Sequence, residues 1–121
     1  MSEFPLPRRG EIWIVDFNPG RGSEQFGRRP ALVLQNDAGN ESPRYPNTIV
    51  LAMSTKGKPV PFHIGIQPSR QNGLREETYV KCEQVLTLSK SRLLGDKAIG
   101  RLSPAEMQKV DVAVKLSLAL P

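Results

Sequence analysis

Short runs of apolar and β-branched residues, interrupted by glycine, proline and asparagine, dominate the first three quarters of the chain. This pattern predicts strands at residues 11–17, 30–36, 47–54, 59–66 and 78–86, spaced as in a small β-barrel rather than a βαβ fold. Between the second and third runs, Asn36 to Asn47 is rich in Asn, Gly and Pro and reads as a long surface loop. A second loop is expected from Gln67 to Glu77. The period then changes. Ser103-Pro104-Ala105-Glu106 is a capping box with proline at the first helical position, and Met107, Val110, Val114 and Leu118 follow on one helical face, so a helix is predicted over 104–119. A shorter helix is expected at 90–94, capped by Ser89 and stopped by Gly95.

At 121 residues the chain is expected to form one domain, residues 1–121, large enough to hold a core without metal or disulfide. Cys82 is the sole cysteine and reads as a packed strand residue. Neither a secretory leader nor an apolar run of transmembrane length is evident, which points to the cytoplasm and away from a membrane. Seventeen Lys+Arg against twelve Asp+Glu, a formal net charge of +5, favour an anionic partner mildly.

Most of the chemistry lies between residues 10 and 37. Two strands flank a loop holding Gly20, Gly22 and Gly27, and this loop sets Glu24 near Arg28 and Arg29. A guanidinium fork matches phosphate oxygens two at a time, so the set suits a phosphate-bearing ligand. Other constellations are missing: one histidine makes no His-rich metal site, and there is neither a Gly-x-Ser-x-Gly elbow nor a phosphate-binding Gly-x-x-x-x-Gly-Lys loop. No metal and no cofactor are expected.

The remaining polar candidates are Glu24, Arg28, Arg29, Ser54, Thr55, His63 and Gln84. Glu24 and Arg28 can equally form a solvated loop pair, and Arg29, extended before Pro30, can simply cover the barrel edge. His63, out of phase with Val60, Phe62, Ile64 and Ile66, is expected on the wetter strand face as an exposed residue. Ser54 shares a face with Thr48, Val50 and Ala52, and Thr55 shares one with Ile49, Leu51 and Met53. The greasier second face should be the core, which favours Ser54 for a site; a hydroxyl that merely ends the strand is the plain alternative.

Gly10-Glu11-Ile12-Trp13-Ile14-Val15-Asp16-Phe17, Gly22-Ser23-Glu24-Gln25 and Arg29-Pro30-Ala31-Leu32-Val33-Leu34-Gln35-Asn36-Asp37 closely resemble the MazF/PemK family of toxin endoribonucleases. The resemblance continues through Ile49 to Thr55, Pro61-Phe62-His63, Cys82-Glu83-Gln84-Val85 and the end from Lys109 to Leu120. It implies a mainly β (α+β) fold, an SH3-like barrel with a C-terminal helix, in a homodimer neutralised by a cognate antitoxin. It also implies metal-independent cutting of single-stranded RNA to a 2′,3′-cyclic phosphate and a 5′-hydroxyl. The family's catalytic arginine matches Arg29, and its hydroxyl partner, usually threonine, matches Ser54, or Thr55 if the strand shifts by one. Where some members carry histidine before that arginine, this chain has Arg28. Glu24 matches a loop glutamate.

These residue types fit the chemistry. A fixed guanidinium and a hydroxyl stabilise negative charge building on the phosphate oxygens, while Glu24 or a water takes the 2′-hydroxyl proton, because arginine is a poor base. RNA contacts are expected from Phe17, Ser23, Gln25, Arg28, Lys56 and Gln84, with Phe17, Phe26 or Tyr45 stacking on an unpaired base. Two other readings compete. Related barrels poison gyrase through a tryptophan near the C-terminus, whereas Trp13, the only tryptophan here, lies in the first strand. The third reading is an RNA-binding homologue without activity.

Overall fold

The computed structural model describes residues 3–18 and 27–121. Among the described residues seven strands, β1 (Glu11–Asp16), β2 (Arg28–Val33), β3 (Asn47–Ser54), β4 (His63–Ile66), β5 (Thr78–Ser89), β6 (Leu93–Leu94) and β7 (Gly100–Arg101), form one curled sheet. Its order is β4-β5-β3-β2-β1-β6, with β7 also paired to β1, and every pairing is antiparallel. The described residues also form two α-helices, α1 (Asp37–Glu41) and α2 (Pro104–Ser117). This is the mainly β barrel with a C-terminal helix that the strand pattern predicts.

Both faces of the sheet are apolar, and each is covered. On one face Ile12, Leu32, Leu51, Met53, Val80 and Cys82 pack with Met107, Val110, Ala113 and Val114 of α2. On the other, Trp13, Val15, Phe17, Ala31, Val33 and Val50 close around Leu93 where the sheet curls. The expectation that only the Leu51 and Met53 face is core is therefore corrected: Thr48, Val50 and Ala52, on Ser54's face, are as fully buried. The small second face reads as less apolar because a curled sheet leaves little room inside. Cys82 is buried, as expected, and burial, then the nearby Glu83 and Asp111 charges, push its thiol up to about 12.

The helix α2 forms as its sequence dictates. Ser103 accepts from the Glu106 N–H and Glu106 answers the Ser103 N–H, satisfying two otherwise orphaned donors. Three expectations need correction. The 90–94 segment makes a single 3₁₀ turn at Lys90–Arg92, and Leu93 and Leu94 then pair with Val15 and Ile14 as β6. So short a segment cannot offset helix nucleation, whereas Leu93 fills the second core cluster. The strand expected at 59–66 starts only at His63, because Pro59 and Pro61 have no N–H for a ladder and Val60 and His63 instead donate into local turns. The loop at 36–47 contains α1, capped by the Asn36 side chain on the Gly39 N–H.

This helix is tied down by buried polar bonds. Asn40 is fully buried, donates to the Gln35 carbonyl at 2.8 Å and accepts from Gln35 Nε2 and Thr48 Oγ1. Lys90 is also fully buried, and its Nζ donates to the carbonyls of Gly39 at 2.9 Å and Ser42 at 3.0 Å, beside the rings of Phe4 and Tyr45. Burial lowers its pKa from the ordinary lysine range. The ammonium thus completes the C-terminal end of α1, where free carbonyls otherwise collect. Lys90→Met keeps the stem but removes both bonds, so stability should fall by about 1–3 kcal/mol. Urea unfolding at fixed protein concentration would register this as a lower midpoint at unchanged slope; an unmoved midpoint would mean the two bonds contribute nothing net.

Candidate active site

The candidate site lies where β2 begins and β3 ends. Ala31 faces Ala52, Leu32 faces Leu51 and Val33 faces Val50. The pairing stops at Pro30, which has no N–H to give, but both strands continue. Continuing the register by two residues brings Arg29 level with Ser54. Parity puts both on the face of Ala31, Val33 and Val50. Arg29 also faces Val15 of β1 and is exposed, as is Arg28, its neighbour on the opposite face. Thr55 lies beyond the end of β3 and is exposed.

Ser54 Oγ accepts the Lys56 N–H at 3.1 Å, which leaves its hydroxyl hydrogen to donate outward. Across β3 its partner is Tyr79 of β5, whose hydroxyl donates to Glu77 Oε1 at 3.2 Å. That hydrogen bond, then the carboxylate's charge, raise the phenol's pKa and keep it protonated. The Tyr79 ring lies against two glycines: a Cβ on Gly57 would stand 2.3 Å from the ring, and one on Gly65, the cross-strand partner, 3.3 Å. Glycine is therefore required at 57 for the turn after β3 to seat on the ring.

Gln84 lies in an irregular stretch of β5, where pairing jumps from Ala52–Lys81 to Leu51–Val85. Three residues, Cys82, Glu83 and Gln84, bulge between these pairs, close along the sheet to Ser54. Lys56 is exposed on the turn after β3. Phe17 is 9% exposed and packs in the second core cluster, so its ring offers little surface for base stacking. Tyr45 precedes β3 at its opposite end from Ser54, roughly 23 Å of strand away, and stands beside Lys90. Glu24, Ser23, Gln25 and Phe26 lie outside the described residues.

The described residues on either side of them are tied together. Phe17 N–H donates to the Gly27 carbonyl at 2.9 Å, and Gly27 N–H donates to Asn18 Oδ1 at 3.0 Å. Arg92 donates to the carbonyls of Asp16 and Asn18, so the 3₁₀ turn braces the end of β1 from β6's side. That role of Arg92 has no signature in sequence, since the contact spans more than seventy residues.

His63 departs most from expectation. Its side chain is 4% exposed. Nδ1 accepts the Lys58 N–H at 3.0 Å, and Nε2 meets Glu83 Oε2 at 2.8 Å. Because Nδ1 accepts, the proton sits on Nε2 and is donated to Glu83. The face expected to be wet is roofed by the turn after β3 and by the bulge of β5. Both ring nitrogens being engaged, the chain's single histidine has none to spare for substrate protons. Among the described residues no group of three or more His, Cys, Asp or Glu stands in a metal-binding arrangement, and no helix is long and apolar enough to cross a membrane. The only tryptophan, Trp13, is 3% exposed in the core and hydrogen-bonds Glu11.

Known proteins share both sequence and fold with this chain. Endoribonuclease MazF9 of Mycobacterium tuberculosis is 39% identical over 119 residues, covering 95% of this chain and 98% of the relative. Endoribonuclease MazF of Staphylococcus saprophyticus is 37% identical over 95% of this chain and 93% of its own. The solved structure of a mycobacterial endoribonuclease in complex with its cognate antitoxin superposes with a TM-score of 0.76 at 26% identity, covering 95% and 97% of the two chains. MazF from Deinococcus radiodurans shares the fold at a TM-score of 0.77 and 24% identity, over 95% and 98%. Residues 8–118 match the family profile, and with relatives this similar along nearly the whole length the chain belongs to the PemK-like, MazF-like toxins of type II toxin-antitoxin systems.

Proposed function

We propose that this MazF-like chain is an endoribonuclease toxin that cuts single-stranded RNA without a metal, using Arg29 and Ser54 as a clamp on the scissile phosphate. The observation that carries the reading is the β2–β3 register, which, continued two residues beyond Ala31–Ala52, sets the Arg29 guanidinium and the Ser54 hydroxyl level on one sheet face. The relatives' names, endoribonucleases at 36–39% identity over most of the chain, support the same activity class.

In the proposed reaction the ribose 2′-oxygen attacks the adjacent phosphorus, the bond to the 5′-oxygen breaks, and the products are a 2′,3′-cyclic phosphate and a 5′-hydroxyl. Negative charge grows on the non-bridging oxygens, where the Arg29 fork and the Ser54 hydroxyl stabilise it most. Glu24 or a water removes the 2′-hydroxyl proton. With His63 engaged through both nitrogens, the imidazole takes no part in that transfer. Arg28, Lys56 and Gln84, together with Ser23 and Gln25, contact the RNA strand through its phosphates and bases.

The working form we propose is a cytoplasmic homodimer held in check by a cognate antitoxin. A groove of about 520 Å³ between β4 and α2, lined by Pro61, Ile64, Ala113 and the exposed Val112 and Leu116, offers apolar surface for a protein partner. Neither a gyrase-poison reading nor a non-catalytic RNA binder has a specific observation in its favour, since the sole tryptophan is buried.

Cleavage of a long single-stranded RNA by purified protein should persist in EDTA. Loss of activity in EDTA with recovery on adding Mg²⁺ or Zn²⁺ would defeat the mechanism. Arg29→Ala should lower the single-turnover rate by roughly 10²-fold or more with the fold intact, and Ser54→Ala should fall comparably. Thr55→Ala should stay near wild type. An active Ser54→Ala beside an inactive Thr55→Ala would move the hydroxyl one residue on, and near-normal cleavage by Arg29→Ala would remove the clamp.

A further inference from the structure

The turn that follows Ser54 is held by more contacts than a surface connection of its length requires. Ser54 Oγ binds the Lys56 N–H, Gly57 seats on the Tyr79 ring, and the Lys58 N–H donates to His63 Nδ1. Exposed residues of such a turn otherwise move readily, since water competes for each backbone bond. Here the last bond is different in kind, because its acceptor is an imidazole that is 4% exposed and itself oriented by Glu83. Glu83 reaches the ring because three residues of β5 bulge between the Lys81 and Val85 pairings. Lys81 faces His63 across the strands, and the Phe62 ring stands edge-on to the imidazole.

We propose that His63 is a positioning residue: with Glu83 it fixes the 54–58 turn through the Lys58 N–H, and so holds the Ser54 hydroxyl beside Arg29. The Lys56 N–H that Ser54 Oγ accepts lies in that turn, so release of Lys58 lets Lys56 move and the hydroxyl rotate away from the phosphate. The inference rests on the reading of Ser54 as a clamp donor. His63 touches no substrate; its effect passes entirely through Ser54.

A double-mutant cycle tests this. Single-turnover cleavage at saturating RNA is measured for wild type, His63→Ala and His63→Asn, each with Ser54 intact and with Ser54→Ala. RNA affinity and urea midpoints are recorded alongside, as is the rate at which trypsin cuts the Lys56–Gly57 bond in the native protein. His63→Ala should slow cleavage roughly tenfold, the effect of losing one ordinary hydrogen bond from the active arrangement, with RNA affinity little changed. His63→Asn should recover most of the rate, because its Oδ1 can accept the Lys58 N–H where Nδ1 did. In the Ser54→Ala background His63→Ala should add nothing further. Trypsin should cut after Lys56 faster in His63→Ala and be slowed again in His63→Asn.

If His63→Ala fails to fold, Gly57→Ala supplies the same cycle, since its methyl must push the turn off Tyr79 with His63 itself unchanged. A wild-type rate for the substituted turn beside an impaired Ser54→Ala would overturn the positioning role alone. An undiminished effect in the Ser54→Ala background would overturn it as well, by showing action elsewhere. A fully active Ser54→Ala would remove the clamp and this proposal together.

Discussion

Proline at position 30 divides β2 into an exposed and a buried part while leaving its register with β1 intact. From Ala31 onward the strand is an interior member of the sheet, bonded to β3 and fully buried over Ala31, Leu32 and Val33. Before it, Arg28 and Arg29 continue the same line of backbone but face solvent. The rigid half aims the exposed half. An arginine at the end of a packed strand holds its direction at a smaller entropic cost than one on a loop, which is what a charge clamp needs.

Covering both faces of the sheet makes that aim possible. The cluster under α2 and the cluster around Trp13, Val15 and Leu93 grip β2 and β3 from opposite sides, so neither strand can slip by one residue without exposing one apolar set. Around this frame, polar ties secure the irregular parts: Lys90 and Asn40 hold α1, Arg92 braces the end of β1 at Asp16 and Asn18, and His63 with Tyr79 fixes the turn after Ser54. Lys90 and Arg92 reach backbone carbonyls across a long stretch of sequence, whereas Asn40 and His63 bind partners within eight residues; both satisfy backbone or buried polar groups in irregular segments.

Legibility of the sequence follows the same division. The strands at 11–17, 47–54 and 78–86 and the helix at 104–119 declare themselves through alternation, β-branching and a capping box, all local signals. The short α1, β6 and β7 do not, because two- to five-residue segments owe their form to the neighbour they pair with or the cap they receive. Parity pairs Ser54 with Thr48, Val50 and Ala52 correctly, yet the premise that this face lies outside the core fails, since curling buries both faces. His63 is misread for a related reason: polarity of phase marks a face as wet only while nothing roofs it, and the β5 bulge and the Lys58 turn supply a roof that no periodicity encodes.

The geometry of the clamp is tested most directly by the structure of the protein bound to an RNA whose nucleotide before the scissile phosphate lacks its 2′-hydroxyl, so that it binds uncut. The scissile phosphate's non-bridging oxygens should lie at hydrogen-bonding distance, about 3 Å, from both the Arg29 guanidinium and Ser54 Oγ. A phosphate held by other residues, with Arg29 turned to a base or to solvent and Ser54 out of reach, would contradict the assignment of these two side chains to the reacting centre.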